Sequence, residues 1–112
     1  MALGIGLTGA LEGRLARIGA ILVALAGVGA IVAGLARNDC RSRLAACAAR
    51  IDAGDVSWHS ATHELVSLVI FLALVAAPLV LARAFGGDVL WHGLRAYSLA
   101  TGVLGLVLLV MF

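Results

Sequence analysis

Lysine is absent from this chain, and Asp, Glu and Arg together make up only 12% of its 112 residues. A soluble domain carries about twice that share of charge, so the polar exterior that water demands is missing. The formal net charge of +2 is small and scattered. No stripe of mixed basic and aromatic residues is present to stack on bases, which excludes nucleic acid as a partner. Proline occurs once and aromatics make up 5% of the chain. The apolar start, Met1–Leu11, lacks a basic n-region and a clear cleavage site, and is therefore read as uncleaved.

What remains is apolar: 63% of residues are hydrophobic and the mean hydropathy is +1.14. Three stretches without a charged residue stand out, Ile18–Ala36, Leu65–Ala82 and Tyr97–Phe112. About 20 residues at 1.5 Å rise cross a hydrocarbon core of ~30 Å. The reading is an all-α, polytopic transmembrane helical bundle in contact with the lipid bilayer. Its three spans are placed at about 18–36, 63–84 and 94–112, in a single membrane domain over 1–112. Residues 1–13 form an apolar stub, and 37–62 form a polar inter-helix loop.

Small residues recur along the first span: Ala20 with Ala24, Ala26 with Ala30 and Gly34, and Gly29 with Ala33. Such rows let helix backbones approach closely, which matters in lipid because burial of apolar surface no longer drives association. Pro78 predicts a kink near Leu74–Pro78, since its ring removes a donor and clashes with the carbonyl four residues back. Gly86-Gly87-Asp88 predicts a break before the third span. Trp91 and Tyr97 read as residues of the membrane–water belt.

Orientation by arginine count is tied: Arg14, Arg17, Arg83 and Arg95 on one side oppose Arg37, Arg41, Arg43 and Arg50 on the other. Cys40 and Cys47 offer a tie-break, because a bond between them places the polar loop in an oxidising, extracytoplasmic compartment. One continuous helix over Arg41–Arg50 sets residues seven apart at ~10.5 Å of rise, beyond the ~7 Å between Cα atoms that a disulfide tolerates. Helix and bond therefore exclude each other on this reading, and the bond with a looped segment is preferred.

The run Trp58-His59-Ser60-Ala61-Thr62-His63-Glu64 carries the most chemistry. On a helix His59 and His63 share a face with Cβ atoms ~6 Å apart, a spacing that suits two imidazoles on one zinc ion. Asp55 or Ser57 is expected to cap the helix after a turn at Gly54. Asp39, at the end of the first span, meets the two histidines if the first two spans run antiparallel, giving a candidate metal set of His59, His63 and Asp39. Glu64 points ~100° away from His63 around the helix, and His92 belongs to the opposite membrane face. The simpler reading of the same residues is a polar interfacial cluster that hydrogen-bonds Asp39 and caps the helix. The spans themselves hold only Ser67, Ser98 and Thr101 as polar side chains, too little for a proton relay or an ion path.

Asp39-Cys40, Cys47, Gly54-Asp55-Val56-Ser57-Trp58-His59 and His63-Glu64 resemble the bacterial domain-of-unknown-function 998 family. So do Phe71–Pro78 with Arg83, then Trp91, Arg95 and Tyr97-Ser98-Leu99-Ala100-Thr101. The resemblance implies a multi-pass membrane protein with no established activity, and its polar pattern falls on Asp39, His59 and His63. Members of that family look like larger bundles, so the chain reads as an internal or truncated portion of the family domain. The acid and His-xxx-His pair are also similar to membrane hydrolases of the ceramidase and progestin-receptor-like group, but a third histidine on the same face and a convincing serine are missing. The expected function is a non-catalytic helical membrane protein or part of a larger bundle, with no assigned catalytic residue or cofactor. The alternatives are a metal-dependent membrane hydrolase acting on lipid-like substrate, and an assembly partner whose helices complete another membrane polypeptide. The small-residue rows favour a homo-oligomer or complementary membrane helices.

Overall fold

The computed structural model describes residues 1–41 and 43–111. Its helices are α1 (Ala2–Ala10), α2 (Arg14–Leu35), α3 (Ala45–Asp52), α4 (Trp58–Gly86) and α5 (Arg95–Met111), with a single 3₁₀ turn, His92–Leu94, leading into α5. No strand occurs among the described residues. Three segments are long and apolar enough to cross a membrane: Arg14–Leu35, Trp58–Gly86 and His92–Met111. The protein is an all-α membrane protein. Phe112, the expected last residue of the third span, lies outside the described residues.

Helices α2, α4 and α5 each begin before their charge-free stretch, and α4 also ends after it, because a helix satisfies its own backbone wherever it lies, in lipid or in the interface. Helix α4 has 29 residues, about 43 Å at 1.5 Å per residue, so roughly 13 Å of it extends past a ~30 Å core. It passes Pro78 without a break in its helical assignment. The sacrificed bond is the one Leu74 C=O would have accepted.

Helices α2 and α4 form the central antiparallel pair. A Cβ added at Gly19 would lie 2.6 Å from Leu81 Cδ2, and one added at Gly29 would lie 2.7 Å from Ile70 Cγ1. The low-numbered end of α2 thus meets the high-numbered end of α4. Helix α5 packs on the other side of α4, where a Cβ at Gly102 would come within 2.5 Å of Leu79 Cδ2 and one at Gly105 within 3.2 Å of Val75 Cγ2. All four glycines receive a branched side chain from α4. Close backbone approach of this kind supplies the dispersion contacts that hold helices together in lipid.

The N-terminal stub is helical. Residues 2–10 form a helix that folds back along α2 through a turn at Gly13, whose φ of +100° favours glycine. Gly4 is the reason it fits: an added Cβ would meet Ala24 N at 2.6 Å and Ala20 O at 2.7 Å. The row Ala20–Ala24 therefore serves α1, while Gly29 serves α4. Of the other row, Ala26 is buried, but Ala30 is exposed and a Cβ at Gly34 would meet open space. Below them, Leu11, Ala16, Leu81 and Phe85 form a buried apolar cluster flanked by Leu7, Ala84 and Trp91. Trp91 stacks towards Phe85 with ring centroids 6.2 Å apart, so it closes this end of the bundle.

Since the atoms facing Gly4 are backbone and cannot move aside, Gly4→Ala is expected to lift α1 off α2 at a cost of about 1–3 kcal/mol. Gly6 and Gly9 face open space, so Gly6→Ala and Gly9→Ala should leave α1 docked. Amide exchange of residues 2–10 in detergent distinguishes the variants; equal protection in all three would show that α1 is held by something other than the Gly4 contact.

Candidate functional site

At the end of the bundle opposite the Leu11–Phe85 cluster, α2 stops and α4 begins side by side. Each helix terminus leaves backbone groups without intrahelical partners. Those of α4 are met first by Ser57, its N-cap, whose Oγ accepts the Ser60 N–H at 3.3 Å. Ser57 is in turn held by Asp39: the Ser57 N–H donates to Asp39 Oδ2 at 2.5 Å and the Ser57 hydroxyl donates to Oδ1 at 2.6 Å. Both carboxylate oxygens are engaged at a helix N-terminus, where negative charge is stabilised. The Ser57 hydroxyl and backbone bonds, with smaller help from Arg50 and His59, hold the Asp39 carboxyl below its ordinary value.

The end of α2 is met from the other direction. His63 Nδ1 lies 2.9 Å from Ala33 O and 2.8 Å from Ala36 O. Both partners are carbonyls, so Nδ1 carries the hydrogen and donates to the pair. These carbonyls belong to the last turn of α2, where no intrahelical donor remains. The two spans therefore cap each other: the chain leaving α2 supplies Asp39 to the start of α4, and α4 supplies His63 to the end of α2. Buried Ser60 adds a weaker tie, its hydroxyl 3.5 Å from Asn38 Oδ1.

The candidate metal residues are brought to one end but not to one point. His59 is exposed and stacks on Trp58 with ring centroids 3.7 Å apart, His63 is spent on α2, and Asp39 is spent on Ser57. Among the described residues no group of three or more His, Cys, Asp or Glu side chains is placed to share an ion. Glu64 is exposed, and His92 sits in the 3₁₀ turn beyond the far end of α4. Of the two capping candidates, Ser57 caps α4, while Asp55 accepts from Arg50 Nε at 3.3 Å. The reciprocal use of His63 was not legible from spacing alone, because the i,i+4 histidine pattern reads identically whether the partner is an ion or a neighbouring helix end.

The segment between the spans is more ordered than the expected polar loop. Cys40 and Cys47 are joined by a disulfide with Cα atoms 5.8 Å apart. The preferred bond is present and no continuous helix runs over Arg41–Arg50; the difference is that part of the segment expected to be looped is helical. The helix starts only at Ala45, so Cys47 alone lies on it and Cys40 approaches from the preceding chain. Helix α3 ends at Gly54, with φ +71°, where Asp55 N–H donates to Arg50 O at 2.9 Å and Gly54 N–H to Ile51 O at 3.0 Å. That paired pattern with a left-handed glycine is the Schellman ending.

Elsewhere, an apolar groove of about 500 Å³ runs between α4 and α5, lined by Phe71, Leu74, Val75, Thr101, Gly105, Leu108 and Leu109. Its one hydroxyl, on Thr101, donates to Tyr97 O at 2.9 Å, so the groove presents no hydrogen-bond donor. A family model described as a protein of unknown function (DUF998) matches residues 1–112, the whole chain, and the chain belongs to that family. No curated protein and no solved structure matches it.

Asp39 is held below the ordinary carboxylate value, so its contribution to stability is full above that value and is lost as pH falls through the lowered one. The melting temperature of Asp39→Asn should therefore lie below wild type at neutral pH, and the gap should close on acidification below about pH 4. Thermal melts across pH 7 to 3 check this; a gap independent of pH would show that Asp39 does not act as a carboxylate. In the same assay His63→Ala, which strands two carbonyls, should cost about 1–3 kcal/mol. His59→Ala, which removes only an exposed stack, should cost less than about 0.5 kcal/mol.

Proposed function

We propose that this member of the family is a non-catalytic helix-packing component of the cell membrane, which associates through its helices with further copies of itself. The observation that carries the reading is the commitment of Asp39, Ser57, His63 and both cysteines at the polar end. Asp39, Ser57 and His63 cap helices, and Cys40 and Cys47 bond each other. The groups that a hydrolytic site needs free are occupied in holding two spans together. The outer faces point the same way. Ile18, Ile21, Leu25, Val28, Val32 and Leu35 are all exposed along one face of α2, and their alternating spacing of three and four is the seam spacing by which one helix packs on another.

The disulfide also supports an orientation: with Cys40 bonded to Cys47, α3 and the start of α4 lie on the extracytoplasmic side. The turn at Gly13 and the segment Gly86–Trp91 then face the cytoplasm. Two measurements test the proposal. Light scattering of the detergent-purified chain is expected to give an oligomer, and a monodisperse monomer would overturn the association. Metal analysis is expected to give far less than one ion per chain. One zinc per chain, lost in the His59→Ala/His63→Ala double variant, would instead favour a metal-dependent membrane enzyme.

A further inference from the structure

Four arginines face three aspartates between residues 37 and 57, and two of those aspartates are spent. Asp39 is bonded to Ser57, and Asp55 is paired with Arg50 at 3.3 Å, the one ion pair among the described residues. Arg41 and Arg43 have no carboxylate within ion-pairing distance there. Both line an open cleft of about 540 Å³ together with Asn38, Cys40 and Leu44. The cleft lies just past Leu35, the last residue of α2, and so at the level where a span emerges from the hydrocarbon. Cys40, beside Arg41, is itself tied to Cys47 on α3 by the disulfide.

We infer that this cleft binds the phosphate of an anionic phospholipid headgroup in the leaflet bordering the α3 side. The chemistry of the lining matches each part of such a ligand. Guanidinium groups present planar forks of donors that suit phosphate oxygens, and Asn38 adds an amide beside them. Leu44, 58% exposed, offers apolar contact for the glycerol and first methylenes beneath. A free phosphate shares the charge but gains nothing from Leu44, which is why the lipid is the ligand assigned. The bonded ring keeps the arginines near one another before the ligand arrives, lowering the ordering cost of binding.

The test uses the full chain in detergent micelles, titrated with short-chain phosphatidylglycerol, short-chain phosphatidylcholine and inorganic phosphate. Phosphatidylglycerol is expected to bind more tightly than either of the others. Arg41→Gln and Arg43→Gln should each weaken it roughly fivefold, since a basic side chain at a membrane surface contributes about that factor. Both side chains are exposed, so the variants should retain the wild-type melting temperature in lipid-free detergent. Arg83→Gln, at the opposite end of the bundle, should leave the affinity unchanged. Equal binding of phosphatidylglycerol by wild type and the Arg41/Arg43 double variant overturns the assignment. So does an equal loss in Arg83→Gln, which would reduce the effect to net charge. Binding of inorganic phosphate as tight as that of phosphatidylglycerol overturns the lipid as the ligand.

Discussion

The antiparallel contact of α2 with α4, and the exchange of caps at its polar end, is the interaction on which the rest of the structure depends. A helix that ends at a membrane surface has up to four carbonyls or amides with no partner, and lipid offers them none. Here the two spans solve the problem jointly. Because Gly19 and Gly29 let α4 lie close, the last turn of α2 comes within reach of His63. The chain leaving α2 is then short enough for Asp39 to reach Ser57. Charge reinforces geometry, since the carboxylate sits at a positive helix end and the imidazole donor at a negative one. Separate α2 from α4 by the width of one methyl group and both caps lengthen together.

This arrangement explains why the inter-span segment is structured although it is polar. Asp39 and Cys40 are adjacent, so the residue that caps α4 is anchored immediately by the bond to Cys47. Cys47 is 3% exposed, which places the bond under α3. Helix α3, with eight residues, is too short to persist alone in water. It survives because it is tied at its start by the disulfide and stopped at its end by Gly54. The Arg50–Asp55 pair across that turn is exposed and contributes at most about 1 kcal/mol.

Much of this was legible in the sequence, and what was not has physical reasons. The three spans were readable because charge-free stretches of that length have one solvent in which they are stable. The antiparallel meeting of Asp39 with the histidine segment followed from two spans joined by a short connection. Helix α1 is not announced by hydropathy, because nine residues span about 13 Å, less than half the core. Its signal was Gly4, which only has meaning once Ala20 and Ala24 are known to face it. A continuous helix over Arg41–Arg50 excludes the Cys40–Cys47 bond; the backbone becomes helical only at Ala45, so the bond forms and the helix is confined to the residues that follow. The histidines show the deeper limit. Spacing reports that two side chains share a face, but not whether an ion, a ring or a neighbouring helix end occupies the space before them.

The two ends of the bundle are held by different physics. One end is closed by Leu11, Ala16, Leu81 and Phe85, with Trp91 against them. Those contacts are apolar, and the turn that brings Trp91 to them is held by Asp88, whose Oδ1 accepts the Leu90 N–H at 2.9 Å. The other end depends on an ionised Asp39, on a hydrogen on His63 Nδ1 and on an oxidised cysteine pair. It is also the end where the arginines have charge to spare. The asymmetry puts the exchanged caps and the disulfide on the α3 side and leaves the Phe85 side to apolar packing backed by the Asp88 turn.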